Sequence, residues 1–136
     1  MADSEQASVA IPRPVLVGAM SGVFLSLVIT TADILPPNQG HAILISAVAT
    51  PYIAFALVDS SPRSALTEFS VAIAFVTASF VVLNANVWIV ATVLAAHGLW
   101  DLAHIRFPLN PHCGNYPKWC GVLDIAAAAT LLITSA

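Results

Sequence analysis

Charge is what this sequence has least of: four Lys and Arg and seven Asp and Glu in 136 residues, 8% of the chain. Soluble globular domains carry about 25% charged residues, so a water-facing shell around a core is excluded. The basic residues form no patch with interleaved aromatics and the net charge is −3, which removes nucleic acid as a partner. Cysteine is nearly absent as well. Cys113 and Cys120 are separated by six residues, so the C-x2-C spacing of dependable zinc sites is missing. No glycine-rich nucleotide loop and no G-x-S-x-G elbow occurs.

What is present is apolar. The chain is 59% hydrophobic with a mean hydropathy of +0.90, and its apolar runs approach the ~20 residues that cross a ~30 Å hydrocarbon core as helix. The expected fold is all-α, a polytopic membrane helical bundle of five transmembrane helices forming one domain over residues 13–136. The spans fall at about 14–35, 41–58, 64–83, 87–105 and 119–134. Residues 1–12 begin MADSEQASVA, without the basic start and small-residue cleavage site of a secretory signal, and read as a short polar tail. Pro12 and Pro14 open the first span, Pro36-Pro37 stop it, and Pro51 predicts a kink in the second. Short connections make spans one to four antiparallel neighbours, and recurrent Ala, Gly and Ser suit helix contacts in lipid.

The four basic residues set the orientation. With the N-terminus in the cytoplasm, Arg13, Arg63, Arg106 and Lys118 all fall on the cytoplasmic side, and the loops around 36–40 and 84–86 carry none. This positive-inside pattern predicts a multi-pass membrane protein with its N-terminus in the cytoplasm and its C-terminus outside.

Against this background AAHGLWDLAHI, residues 95–105, is anomalous. His97, Asp101 and His104 stand at i, i+4 and i+7, within roughly 60° of one another on one helix face. Span four runs outside to inside, so they lie in its cytoplasmic half. Glu68 is about one turn into span three and Asp124 about one turn into span five, at the same depth. Each charged group in a bilayer costs about 2.5 to 3.5 kcal/mol on insertion scales, so such groups face each other, water or an ion.

Three carboxylates and two imidazoles suit a divalent transition metal, zinc or iron above all. His97, Asp101, His104, Asp124 and Glu68 are the candidate ligands, and Asp101 or Glu68 the candidate general base. The competing reading is an inward-facing hydrogen-bond network that holds the bundle together. For Glu68 the plain alternative is snorkelling or pairing with Arg63; for Asp124 it is capping of the fifth helix.

Two further groups are weaker. Asp33 and His41 flank an outer loop and could pair there. The connection Arg106 to Cys120 holds His112, Cys113, Cys120 and three prolines, and is expected to cover the mouth of the site with Tyr116 and Trp119 at the interface. A persistent disulfide is not expected in a cytoplasmic loop.

HGLWDLAHI, followed about fifteen residues later by WCGVLD, resembles a bacterial membrane family known as domain of unknown function 6010. That family carries an H-x-x-W-D-type helix, a proline-rich loop and a G-C-x-x-x-D-type start to its last helix. His97, Trp100, Asp101 and His104 match the first pattern, Cys120 and Asp124 the last, and TEFSVAIAF around Glu68 is similar to its third span. The resemblance covers roughly residues 41–132. It departs where His104-Ile105 replaces paired histidines and Pro117-Lys118 replaces a serine pair. It implies a shared pattern for Glu68, His97, Asp101, His104 and Asp124, and no activity. By analogy of chemistry alone the His and Asp pattern is also similar to membrane hydrolases of the alkaline ceramidase type and to helical-bundle metal oxygenases.

Three functions compete. The first is a lipid-directed, metal-dependent hydrolase or oxygenase acting on a lipophilic small molecule that enters from the bilayer. The second is a non-enzymatic subunit of a larger membrane complex, or a homo-oligomer, whose histidines bind haem or a chlorin pigment or only pack. The third, a proton relay, needs polar groups across the full depth, and the outer halves of spans three to five are too apolar for it.

Overall fold

The structure is a computed structural model that describes residues 11–59, 61–107 and 110–136. The expected tail thus lies outside the described residues except for Ile11 and Pro12. Five helices account for nearly everything described: α1 (Arg13–Thr31), α2 (Pro37–Val58), α3 (Pro62–Val81), α4 (Val87–Arg106) and α5 (Tyr116–Thr134). Each is long and apolar enough to cross a membrane. Large apolar side chains on their outer faces, among them Phe24, Phe80, Trp88 and Leu99, are exposed, as lipid-facing residues are.

Proline and local capping set the boundaries. Pro37, Pro62 and Pro117 sit in the first turns of α2, α3 and α5, where a missing N–H costs no helical bond. Ser61 Oγ accepts from Ser64 N at 3.4 Å to cap α3, and Asn86 Oδ1 accepts from Ile89 N at 3.1 Å to cap α4. Three ends differ from expectation. The first helix stops at Thr31 rather than near 35, before Asp33 turns into the left-handed region at φ 52°. The second starts at Pro37 rather than near 41, and the fifth at Tyr116 rather than near 119, because proline starts a helix as readily as it stops one. Pro51 is accommodated inside α2.

Helix α5 packs between α1 and α4, and α2 packs against α3 and α4. Two close approaches set the α5 position. Gly18 and Gly22, four residues apart on α1, lie against the Trp119 and Leu123 carbonyls, and a Cβ at either would overlap them. On the other side Gly98 and Gly121 let α4 and α5 touch through their backbones: a Cβ on Gly98 would stand 2.8 Å from Gly121 O, and one on Gly121 2.9 Å from Gly98 O. That crossing places Asp101 and Asp124 beside each other.

The order of the elements puts the starts of α1, α3 and α5 and the end of α4 at one end of the bundle, which therefore carries all four basic residues. Away from it, Ile45, Val90, Leu94, Ala127 and Leu131 form an apolar core between α2, α4 and α5.

Candidate metal centre

Three of the five ionisable candidates meet at the α4–α5 crossing. His97 Nδ1 donates to Asp124 Oδ2 at 2.6 Å and lies 3.7 Å from Asp101 Oδ2. Because α5 begins at Tyr116, Asp124 is two turns inside it, too deep to cap its N-terminus. One turn earlier on the same helix, Cys120 brings its Sγ to 4.0 Å from Asp124 Oδ2. A ring nitrogen of His97, one carboxylate oxygen each from Asp101 and Asp124, and Cys120 Sγ all lie within 4.8 Å of one another, and all four residues are buried. This cluster could hold a metal ion.

The polar accounting around these groups is incomplete in a specific way. Asp101 Oδ1 accepts from the Tyr52 hydroxyl at 2.6 Å, but Asp101 Oδ2 and Asp124 Oδ1 are buried without a hydrogen-bond partner among the described residues. A buried unpartnered carboxylate oxygen is costly and rare in a settled structure. Two side by side are what a cation would relieve. The donor set, one imidazole, two carboxylates and one thiol, is borderline in softness and matches zinc or iron rather than calcium or magnesium.

Glu68 and His104 are held apart from this cluster. His104 Nε2 meets Glu68 Oε1 at 2.9 Å and its Nδ1 meets Trp100 O at 3.1 Å, so both ring nitrogens are engaged within the protein. Glu68 is fully buried and neither snorkels nor pairs with Arg63; its Oε2 is a third unpartnered oxygen. The tyrosine ring of Tyr52 stands between the two groups, 6.1 Å from His97 and 5.2 Å from His104, centroid to centroid.

Tyr52 and Cys120 were not among the expected site residues. Cys120 falls inside the expected fifth span, but its C-x6-C spacing from Cys113 carries no metal signal. Tyr52 carries no charge to betray it, although a tyrosine buried within a span must find a partner for its hydroxyl, and its place near the basic end of α2 matches the depth of Asp101. Tyr116 covers the site from the first turn of α5: its ring is 5.7 Å from Tyr52 and its hydroxyl donates to Val48 O at 2.9 Å.

The remaining candidates lie elsewhere. Cys113 is buried against Tyr52 and Ala72, in a different cluster from Cys120, and burial pushes its thiol up to about 12. His112 is exposed. Asp59, beyond the end of α2, is held below the ordinary carboxylate range by the Ser64 hydroxyl and the Ser61 N–H. Asp33 is exposed, whereas His41 turns inward: its Nε2 is 2.7 Å from Ser26 Oγ and its Nδ1 2.7 Å from Pro37 O.

No family model, no curated protein and no solved structure matches this chain.

Proposed function

We propose that this is a bacterial inner-membrane metalloprotein, N-terminus inside, that holds one divalent transition metal on His97, Asp101, Cys120 and Asp124 and acts as a hydrolase on a lipid-soluble substrate. One observation carries the reading: four donors from two helices within 4.8 Å, with two of their carboxylate oxygens buried and unpartnered. Zinc is the first choice, since it takes about four N, O and S donors in a compact tetrahedral site. The closeness of the donors and the backbone contact at Gly98 and Gly121 suit an ion rather than a planar macrocycle such as haem.

When bound, such a metal supplies a water acidified toward neutrality. The chain's own residues supply the rest. Tyr52 holds Asp101 in place through its hydroxyl, and His97 and Asp124 fix one another. Glu68, steadied by His104 and with Oε2 free, is the carboxylate left to take up a proton.

The test is elemental analysis of protein purified in detergent without chelator. One ion per chain is expected in the wild type and in Glu68→Gln, and near zero in His97→Ala and Asp124→Asn. Fatty-acid release from a bacterial polar-lipid extract should then fall on the order of a hundredfold in Glu68→Gln. A wild type that takes up no zinc or iron, or an Asp124→Asn variant that keeps its ion, overturns the metal centre. A metal-loaded wild type that releases nothing overturns the hydrolase.

A further inference from the structure

A groove of about 580 Å³ opens between α3 and α4 at the basic end, lined by Ser61, Arg63 and Thr67 on one side and Trp100, Ala103 and Phe107 on the other. Its chemistry changes along its length. At the helix ends it presents an exposed guanidinium, hydroxyl groups and the Phe107 ring, over which the Arg106 guanidinium lies at 5.5 Å; nearly two turns deeper along α4 it presents the Trp100 indole. No carboxylate among the described residues forms an ion pair with Arg63. Glu68, the nearest acid along α3, is committed to His104, and Asp59 accepts from the Ser61 N–H. The Trp100 indole N–H has no hydrogen-bond partner among the described residues. A cation with no ion pair among the described residues, above the Trp100 indole at the end of two membrane-length helices, complements an amphiphile with a negative headgroup.

We infer that this groove binds an anionic glycerophospholipid, its phosphate on Arg63 at the level of Phe107 and the upper part of an acyl chain along Trp100. The groove also borders the buried site. Ser64 and Thr67 lead directly to Glu68, and the Trp100 ring stands 5.0 Å from His104, edge to face. A lipid seated there touches Trp100, whose ring packs on His104, the partner of Glu68. That such a lipid is the substrate rests on the proposed hydrolase; that it binds does not.

The experiment uses the full chain in lipid nanodiscs with Trp88→Phe and Trp119→Phe, leaving Trp100 as the sole indole. Quenching of its fluorescence is titrated with phosphatidylglycerol brominated on its acyl chains and with phosphatidylcholine brominated identically. The expected result is a preference of about fivefold for phosphatidylglycerol, the effect of one basic residue at an anionic surface. Arg63→Gln should remove the preference and Arg13→Gln, at the same end of the bundle, should leave it. Equal quenching by the two lipids overturns the inference, and so does a preference that survives Arg63→Gln. Inorganic phosphate at millimolar concentration should not restore the fluorescence; if it does, the groove is a site for the free ion and the lipid assignment fails. None of these readings depends on bound metal, so the lipid site and the metal centre stand or fall separately.

Discussion

His41 and His97 are both buried histidines in membrane-length helices, exposed by 0% and 1%, and they have opposite surroundings. Pro37 O can only accept, so His41 Nδ1 carries the proton and Nε2 accepts from the Ser26 hydroxyl, which also lies 3.2 Å from Ala127 O. Every polar side-chain atom of that group has a partner. Around His97 the hydrogen bonds are equally short, yet Asp101 Oδ2 and Asp124 Oδ1 are left over. A polar group that only ties helices together can be satisfied by its neighbours, as at His41. A group left unsatisfied at the crossing of two helices is one that a cation would relieve, as in the proposed metal centre. The difference lies in what is missing around each histidine, since residue type, burial and bond length are alike.

Replacing each histidine should break the comparison most sharply. His97→Ala, or Asp124→Asn where the alanine variant folds poorly, should weaken zinc binding by a hundredfold or more, a size typical of losing a direct donor or its partner. His41→Ala should leave zinc affinity unchanged, as measured by competition with a chromophoric chelator in detergent. If both histidines lower affinity alike, the His41 group is coupled to the site and the distinction fails.

Stability should divide the other way. In the presence of chelator, His41→Ala removes the donor to Pro37 O and leaves a hole among buried atoms, which costs about 1 to 3 kcal/mol. The Ser26 hydroxyl turns wholly to Ala127 O and limits the loss. Denaturant unfolding in detergent reads this directly, and no change on replacing His41 would mean that its bonds contribute nothing.

Smaller again is the effect of the Tyr52 hydroxyl. Tyr52→Phe keeps the ring contacts with His104, Phe55 and Tyr116 but strips Asp101 Oδ1 of the hydroxyl that donates to it. Zinc affinity should fall about tenfold, the lower end for a group that orients a metal-binding residue. An unchanged affinity would show that Asp101 is positioned by the Gly98–Gly121 crossing alone.

Much of this arrangement is legible in the sequence, and the limits have physical causes. Hydropathy and the i, i+4, i+7 spacing place His97, Asp101 and His104 on one face, and the alternation of short loops puts Glu68 and Asp124 near their depth. What spacing cannot supply is which neighbouring helix each position on that face meets. His104 looks toward α3 and His97 toward α5, so five residues at similar depth become a cluster of three and a separate pair. Cys120 has no metal-site spacing to Cys113, and only its i, i+4 relation to Asp124 on α5 brings it to the site. Tyr52 was hidden by its lack of charge.

The smallest effect is the one whose sign matters most. Asp101→Asn keeps an oxygen for the Tyr52 hydroxyl and exchanges the unpartnered Oδ2 for a neutral amide in the cluster that holds Asp124. In metal-free protein this should stabilise by about 1 kcal/mol, because it removes one of two buried carboxylates that crowd one another. Saturating zinc should reverse the order, since binding stabilises only the chain that retains its carboxylate. The check is a pair of unfolding curves for wild type and Asp101→Asn, with chelator and with zinc. Curves that cross between the two conditions identify a centre that lowers the stability of the empty protein for the sake of its ion. A variant less stable in both would place Asp101 beside His41, as a residue that holds helices together.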